Sequence, residues 1–156
     1  KRKGLSDFIQ LASLLDTNYK IILIGLTSKQ IQNLPKNIMG VQRTESISEL
    51  ANYYSMADVY INPTHKDNFP TTNIEALACG TPVITYNTGG SPESIDEQTG
   101  KIIKKGDVKG LCNAIQELAL QPKKHYTKVC RLRAEQLFNK EDRFMDYLKC
   151  YEELIK

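Results

Sequence analysis

Hydrophobic positions along this chain follow two alternating rhythms. Residues 20–26 (KIILIGL), 58–63 (DVYINP) and 82–86 (PVITY) are short, nearly continuous apolar runs, the pattern of strands buried on both faces of a parallel sheet. Shorter runs at Ile38–Val41 and Lys101–Lys104 predict two more strands. Between them, apolar residues recur at helical spacing: Phe8, Leu11 and Leu15; Ile47, Leu50 and Tyr54; Ile74, Leu77 and Ala78; Leu111, Ile115 and Leu118. Strand alternating with helix predicts an α/β domain, a Rossmann-like open parallel sheet with helices on both faces. From about Pro122 the pattern is helical to the end, with Phe138, Phe144, Tyr147 and Tyr151 as large apolar anchors. No repeat or linker interrupts it, so residues 1–156 read as a single domain.

An open α/β sheet binds ligands outside the carboxyl ends of its strands, where loops lead into helix N-termini with unpaired N–H groups. The loops after Leu26, Pro63 and Tyr86 are therefore the places to look. The second is the richest: Asn62-Pro63 ends a strand, then a polar stretch from Thr64 to Thr72 precedes the apolar helix at Ile74. Pro70 suits a first helical turn, and Thr71 and Thr72 suit caps. The amides there could hold a phosphate, or Thr72 and Glu75 could form an S/T-x-x-E capping box that occupies them. Asp67 and Glu75 are open to two readings as well: Glu75 as a carboxylate stabilised by the helix dipole, or both as acceptors for a polyhydroxyl ligand. After the third strand, Gly89-Gly90-Ser91-Pro92 reads either as a binding loop or as a tight turn with Ser91 as helix cap.

Composition narrows the class. Hydrophobic residues make up 40% and charged residues 25%, ordinary for a globular domain and unlike disordered or fibrous chains. The longest apolar stretch, Ile21–Leu26, is far too short for a bilayer span, and no signal-peptide core follows Lys1, Arg2 and Lys3. A cytoplasmic protein is expected, and the absence of an initiator Met suggests a piece of a longer one. Residues 1–100 hold 8 basic and 10 acidic side chains, residues 101–156 hold 13 and 8. The basic C-terminal third is spread through helical patterns among acids, which suits a solvated or a peripheral membrane-facing surface rather than nucleic acid. Cys79, Cys112, Cys130 and Cys150 lack a C-x-x-C pair, so buried or half-buried thiols are expected, with neither a metal site nor disulfides.

Taken together, Ala57-Asp58-Val59, Pro63 and DNFPTTNIEALACGTPVITYNTGGSPE from Asp67 to Glu93 resemble the C-terminal half of retaining glycosyltransferases with the GT-B fold, the group 1 or family 4 type that includes glycogen and sucrose synthases. The resemblance extends to Lys3-Gly4, Ile24-Gly25, Gly40, Gly100 and the terminal helices. It implies a donor-nucleotide domain whose acceptor is bound mainly by an N-terminal domain outside this chain. Lys3 matches the diphosphate-binding lysine, which would neutralise the leaving group. Asp67 and Glu75 match the ends of an E-x7-E motif, contacting donor sugar and ribose, with Asp one methylene shorter than the usual Glu. Asn68, Phe69, Pro70, Thr71 and Thr72 stand at the phosphate-binding turn, and Gln42 and Arg43 where the base is held. The implied chemistry is sugar transfer from a nucleoside-diphosphate sugar, a UDP-sugar, with retention at the anomeric carbon and no cofactor or obligatory metal. Its setting would be bacterial polysaccharide or glycolipid synthesis, at the inner membrane face. Two other classes share the architecture. A nucleotide-sugar 2-epimerase would carry Ser-Gly-Gly where Asn73-Ile74 stands, and a non-catalytic receiver-like nucleotide-binding module would place an Asp at a strand end, whereas Asp58 begins one.

Overall fold

The computed structural model describes residues 2–155; Lys1 and Lys156 lie outside the described residues. Every predicted strand forms. β1 (Ile21–Ile24) pairs in parallel with β2 (Ile38–Val41), with Ile21 opposite Ile38. β3 (Tyr60–Asn62), β4 (Val83–Tyr86) and β5 (Gly100–Ile103) form a second parallel sheet with β4 in the middle. The single continuous sheet expected from the alternating pattern is therefore divided, because no ladder joins β1 to β3 among the described residues.

Helices cover both faces. α1 (Leu5–Leu14) and α5 (Val108–Ala119) enclose one core, where Leu11 and Leu111 are completely buried against Ile84 and Tyr86. α3 (Ile47–Met56), α4 (Thr71–Ala78) and α6 (Lys124–Phe138) supply the other, built around Tyr54, Ala76, Leu77, Val83 and Cys130. Local chemistry sets the starts of these helices: Ser46 accepts a hydrogen bond from the Glu49 N–H, and Asp107 from the Gly110 N–H, satisfying amides that a helix leaves open. The short α2 (Ser28–Gln32) opens with a complete capping box between Thr27 and Gln30.

β4 is buried at every position, as an interior strand of a two-sided sheet should be, whereas β1 alternates buried and half-buried residues. The chain ends in α6 and α7 (Lys140–Leu154), as the helical pattern predicts. Phe138 packs against the second core, but Phe144, Tyr147 and Tyr151 are exposed rather than anchoring, and α7 buries none of its residues. Cys112 and Cys130 are buried and Cys79 half-buried, while Cys150 is exposed, contrary to expectation.

Candidate functional site

The site forms where the loop after β3 turns into α4. Pro70 is the cap residue of α4 and Thr71 its first helical residue. Thr72 therefore lies inside the helix, and the capping box expected between Thr72 and Glu75 does not form; no side chain caps this helix. The Asn73 N–H reaches the Pro70 carbonyl at 3.1 Å, while the N–H groups of Thr71 and Thr72 have no partner among the described residues. An open first turn of this kind attracts anions through its free donors and the positive end of the helix dipole.

Three predicted side chains converge beside it. Lys3 Nζ lies 2.6 Å from Asp67 Oδ2, with the lysine side chain 62% exposed and the carboxylate 19%. The backbone holds Lys3 there by contact: Gly4 has φ +75°, and a Cβ on it would stand 2.3 Å from the Pro63 carbonyl, so only glycine fits. The Arg2 carbonyl accepts from the His65 N–H at 2.9 Å and from Thr64 Oγ1 at 3.3 Å. Glu75, half-buried, accepts from the Tyr54 hydroxyl at 3.0 Å, which orients one carboxylate oxygen and leaves the other available. Burial raises the Tyr54 phenol far above its ordinary value, with Tyr60 and Glu75 adding to the shift, so it stays a neutral donor. Lys3, Thr72 and Glu75 line one cavity.

The supporting side chains are mostly ones that sequence patterns do not reveal. A buried chain of bonds runs from Asn62 Nδ2 to Asn73 Oδ1 (2.8 Å), from Asn73 Nδ2 to Ser94 Oγ (2.9 Å), and on to the Ser91 carbonyl (2.7 Å). It ties the first turn of α4 to β3 and to the segment after β4, and every link is satisfied. The only hint in the sequence is a polar Asn within an apolar helix. Asp7, His65 and Tyr86 form a second cluster: the Tyr86 hydroxyl donates to Asp7 Oδ2 at 2.8 Å, and His65 Nε2 lies 2.8 Å from the same oxygen. Burial alone would raise the Asp7 carboxyl, but hydrogen bonds from Tyr86, His65 and Ser6 outweigh it and hold the carboxyl below its usual range.

The glycine pair resolves as a close packing contact. A Cβ on Gly89 would stand 1.8 Å from the Asp67 carbonyl and one on Gly90 2.4 Å from the Asn68 carbonyl, and the Gly90 N–H donates to Asn68 O at 2.7 Å. Ser91–Ser94 then form a 3-10 turn capped by Gly90, not an α-helix capped by Ser91. Phe69 packs on Phe138, ring centroids 5.9 Å apart, so it braces the loop. Gln42 and Arg43 follow β2 and are exposed, with Gln42 bonded to Ser28 Oγ at 2.7 Å; they do not line the cavity of Lys3 and Glu75. Among the described residues, no group of three His, Cys, Asp or Glu side chains is placed to hold a metal ion, and no helix is long and apolar enough to cross a membrane.

Known proteins share the sequence and fold of this chain. The capsular polysaccharide biosynthesis glycosyltransferase CapM of Staphylococcus aureus is 30% identical over 129 residues, which cover 76% of this chain and 34% of CapM. Sucrose-phosphate synthase from Thermosynechococcus elongatus superposes with a TM-score of 0.86 at 30% identity, over 99% of this chain and 43% of that one. HepE from Anabaena, in a crystal structure with UDP, superposes with a TM-score of 0.83 at 19% identity over 97% of this chain and 46% of its own, a likeness of fold. The chain thus spans less than half the length of each of these relatives. The model of the family described as glycosyl transferases group 1 matches residues 1–131, a span that contains Lys3, Asp67, Glu75 and the open turn of α4, and the chain belongs to that family.

Proposed function

We propose that this domain binds the donor, a nucleoside-diphosphate sugar of the UDP class, for a glycosyltransferase that retains anomeric configuration. The observation that carries the reading is the Lys3–Asp67 pair beside the uncapped first turn of α4. A diphosphate is the ligand such an arrangement suits: the Thr71 and Thr72 amides would bind its oxygens, and Lys3 would turn from Asp67 to the phosphate that becomes the leaving group. Positive charge placed where negative charge grows as the glycosidic bond breaks lowers the barrier. In this proposal that charge comes from lysine and helix amides, and no metal or cofactor is needed.

Glu75, oriented by Tyr54, would accept the ribose hydroxyls through its free oxygen. Asp67, released by Lys3, would face the donor sugar, its shorter side chain compensated by the close packing of its backbone on Gly89. UDP in the fold relative HepE supports the choice of nucleotide, and CapM supports a role in polysaccharide or glycolipid synthesis. The acceptor would belong to an N-terminal domain, and the exposed Phe144, Tyr147 and Tyr151 of α7 offer a surface for that domain or for a membrane face.

Thermal unfolding of the chain with UDP, UDP-glucose, GDP and ADP tests this. Ligand at 100 times its Kd stabilises the folded state by about 2.7 kcal/mol, which is several degrees for a domain of this size. Lys3→Ala should keep the fold, since an exposed ion pair contributes only about 0–1 kcal/mol, and should abolish the UDP shift. An equal shift in both proteins, or none with any nucleotide at millimolar concentration, contradicts the proposal.

A further inference from the structure

Two arginines stand two residues apart on α6 and hold different parts of the molecule. Arg131, its side chain 60% exposed, donates from Nη1 at 2.8 Å to the carbonyl of Ala78, the last residue of α4. Arg133, only 18% exposed, gathers the end of the 3-10 turn instead. Its Nε donates to Ser94 O at 2.9 Å, Nη1 to Asp96 Oδ2 at 2.6 Å, and Nη2 to Glu93 O and Ile95 O, each at 3.2 Å. Three consecutive carbonyls and a carboxylate thus share one guanidinium, whose rigid fork of donors a lysine ammonium cannot reproduce. Asp96 is fixed in turn, since its Oδ1 accepts from the Thr99 N–H at 3.0 Å and from Thr99 Oγ1 at 2.7 Å.

The turn that Arg133 clamps straddles the site loop. At its start the Gly90 N–H donates to Asn68 O at 2.7 Å, and at its end Ser94 Oγ accepts from Asn73 Nδ2 at 2.9 Å. Asn68 and Asn73 bracket Phe69, Pro70, Thr71 and Thr72, so the open first turn of α4 is tied on both sides to the segment under Arg133. Asn73 and Ser94 are completely buried, where hydrogen bonds are strong and leave little freedom of placement. Attachment of α6 does not require these bonds, because Cys130 and Ala134 already bury that helix on the second core. Arg133 does not line the cavity of Lys3 and Glu75, so any influence it has there passes through the turn.

We propose that Arg133 is a positioning residue for anion binding at the first turn of α4. Without touching the ligand, it fixes where the Thr71 and Thr72 amides stand by clamping the turn that carries Gly90 and Ser94. The identity of the anion, a nucleoside diphosphate, rests on the donor reading above; the clamp itself does not.

The test compares Arg133→Gln, Arg133→Lys and Arg131→Gln with the parent chain. NMR hydrogen exchange is read without ligand at the Gly90 amide and the Asn73 side-chain amide, with the buried Ile84 amide as reference for global unfolding, and titration with UDP gives Kd. In both Arg133 variants these two groups should exchange at least about tenfold faster relative to Ile84, equivalent to about 1.4 kcal/mol. Their Kd for UDP should rise at least about fivefold, whereas Arg131→Gln should match the parent in both readings whatever stability it loses. Should Arg133→Gln fail to fold, Arg133→Lys, which keeps the charge and can serve one acceptor, carries both readings. Unchanged exchange in the Arg133 variants, an unchanged Kd where the parent binds UDP, or equal effects from Arg131→Gln overturns the proposal and leaves Arg133 a structural tie. A parent that binds no UDP refutes the donor reading instead, and the exchange rates then decide the clamp by themselves.

Discussion

Gly89 and Gly106 both adopt positive φ, +51° and +80°, but only Gly89 meets anything: its added Cβ would lie 1.8 Å from the Asp67 carbonyl, whereas nothing comes within 4 Å at Gly106. Substituting alanine at each separates backbone strain from close approach. Gly106→Ala should cost only the left-handed conformation, about 1–2 kcal/mol. Gly89→Ala carries that cost and must also move two backbones apart by 1.2 Å to reach even the 3.0 Å limit of real contacts. Such a movement breaks the 2.7 Å bond from the Gly90 N–H to Asn68 O, and leaving the N–H of the buried Gly90 without a partner costs about 1–3 kcal/mol. The total for Gly89→Ala is then about 2–5 kcal/mol, roughly 1–3 more than for Gly106→Ala. Urea unfolding of the three proteins measures the difference directly. Because the displaced backbone is that of Asp67, Gly89→Ala should also weaken UDP binding while Gly106→Ala leaves it unchanged. Equal stability losses, or a Gly89→Ala protein that binds UDP like the parent, would refute the argument that this glycine pair positions the site loop.

Three other perturbations have defined outcomes. The Asp7 carboxyl is lower in the folded chain than in the unfolded one, so its contribution is present above the unfolded value of about 3.9 and is lost as pH falls through the folded value. Thermal unfolding between pH 3 and 6 should show a slope that Asp7→Asn flattens, and parallel curves would contradict this. Tyr54→Phe keeps the edge-on contact with Tyr60 but removes the bond to Glu75; a hydrogen bond to a charged group contributes about 1.5–3 kcal/mol, so UDP affinity should drop several-fold, and an unchanged Kd would show that Glu75 needs no orienting partner. Ser91 Oγ is buried without a partner among the described residues, so Ser91→Ala should be neutral or stabilising by about 1 kcal/mol in urea unfolding; a clear loss of stability would mean that the hydroxyl is bonded.

What the chain's pattern reveals depends on how far apart the interacting residues are. Continuous apolar runs identify all five strands, and helical spacing identifies α1, α3, α4, α5 and the helical C-terminal stretch, though not the short α2 or the break at Asn139 between α6 and α7, because these are properties of neighbours along the chain. The position of the site comes from the same rhythm, since a parallel sheet brings its loops to one edge. Pairings across 64 residues, such as Lys3 with Asp67, enter only through family resemblance. The Asn62–Asn73–Ser94 chain and the Asp7–His65–Tyr86 cluster have no periodicity and become visible only when the elements are packed. The expected capping box fails for a local reason: with Pro70 as the cap the helix starts two residues earlier than the Thr72-to-Glu75 spacing requires, which leaves the first-turn amides open. The exposed aromatic residues of α7 and the half-buried β1 depart from their patterns in the same direction, since both are more apolar than their surroundings demand.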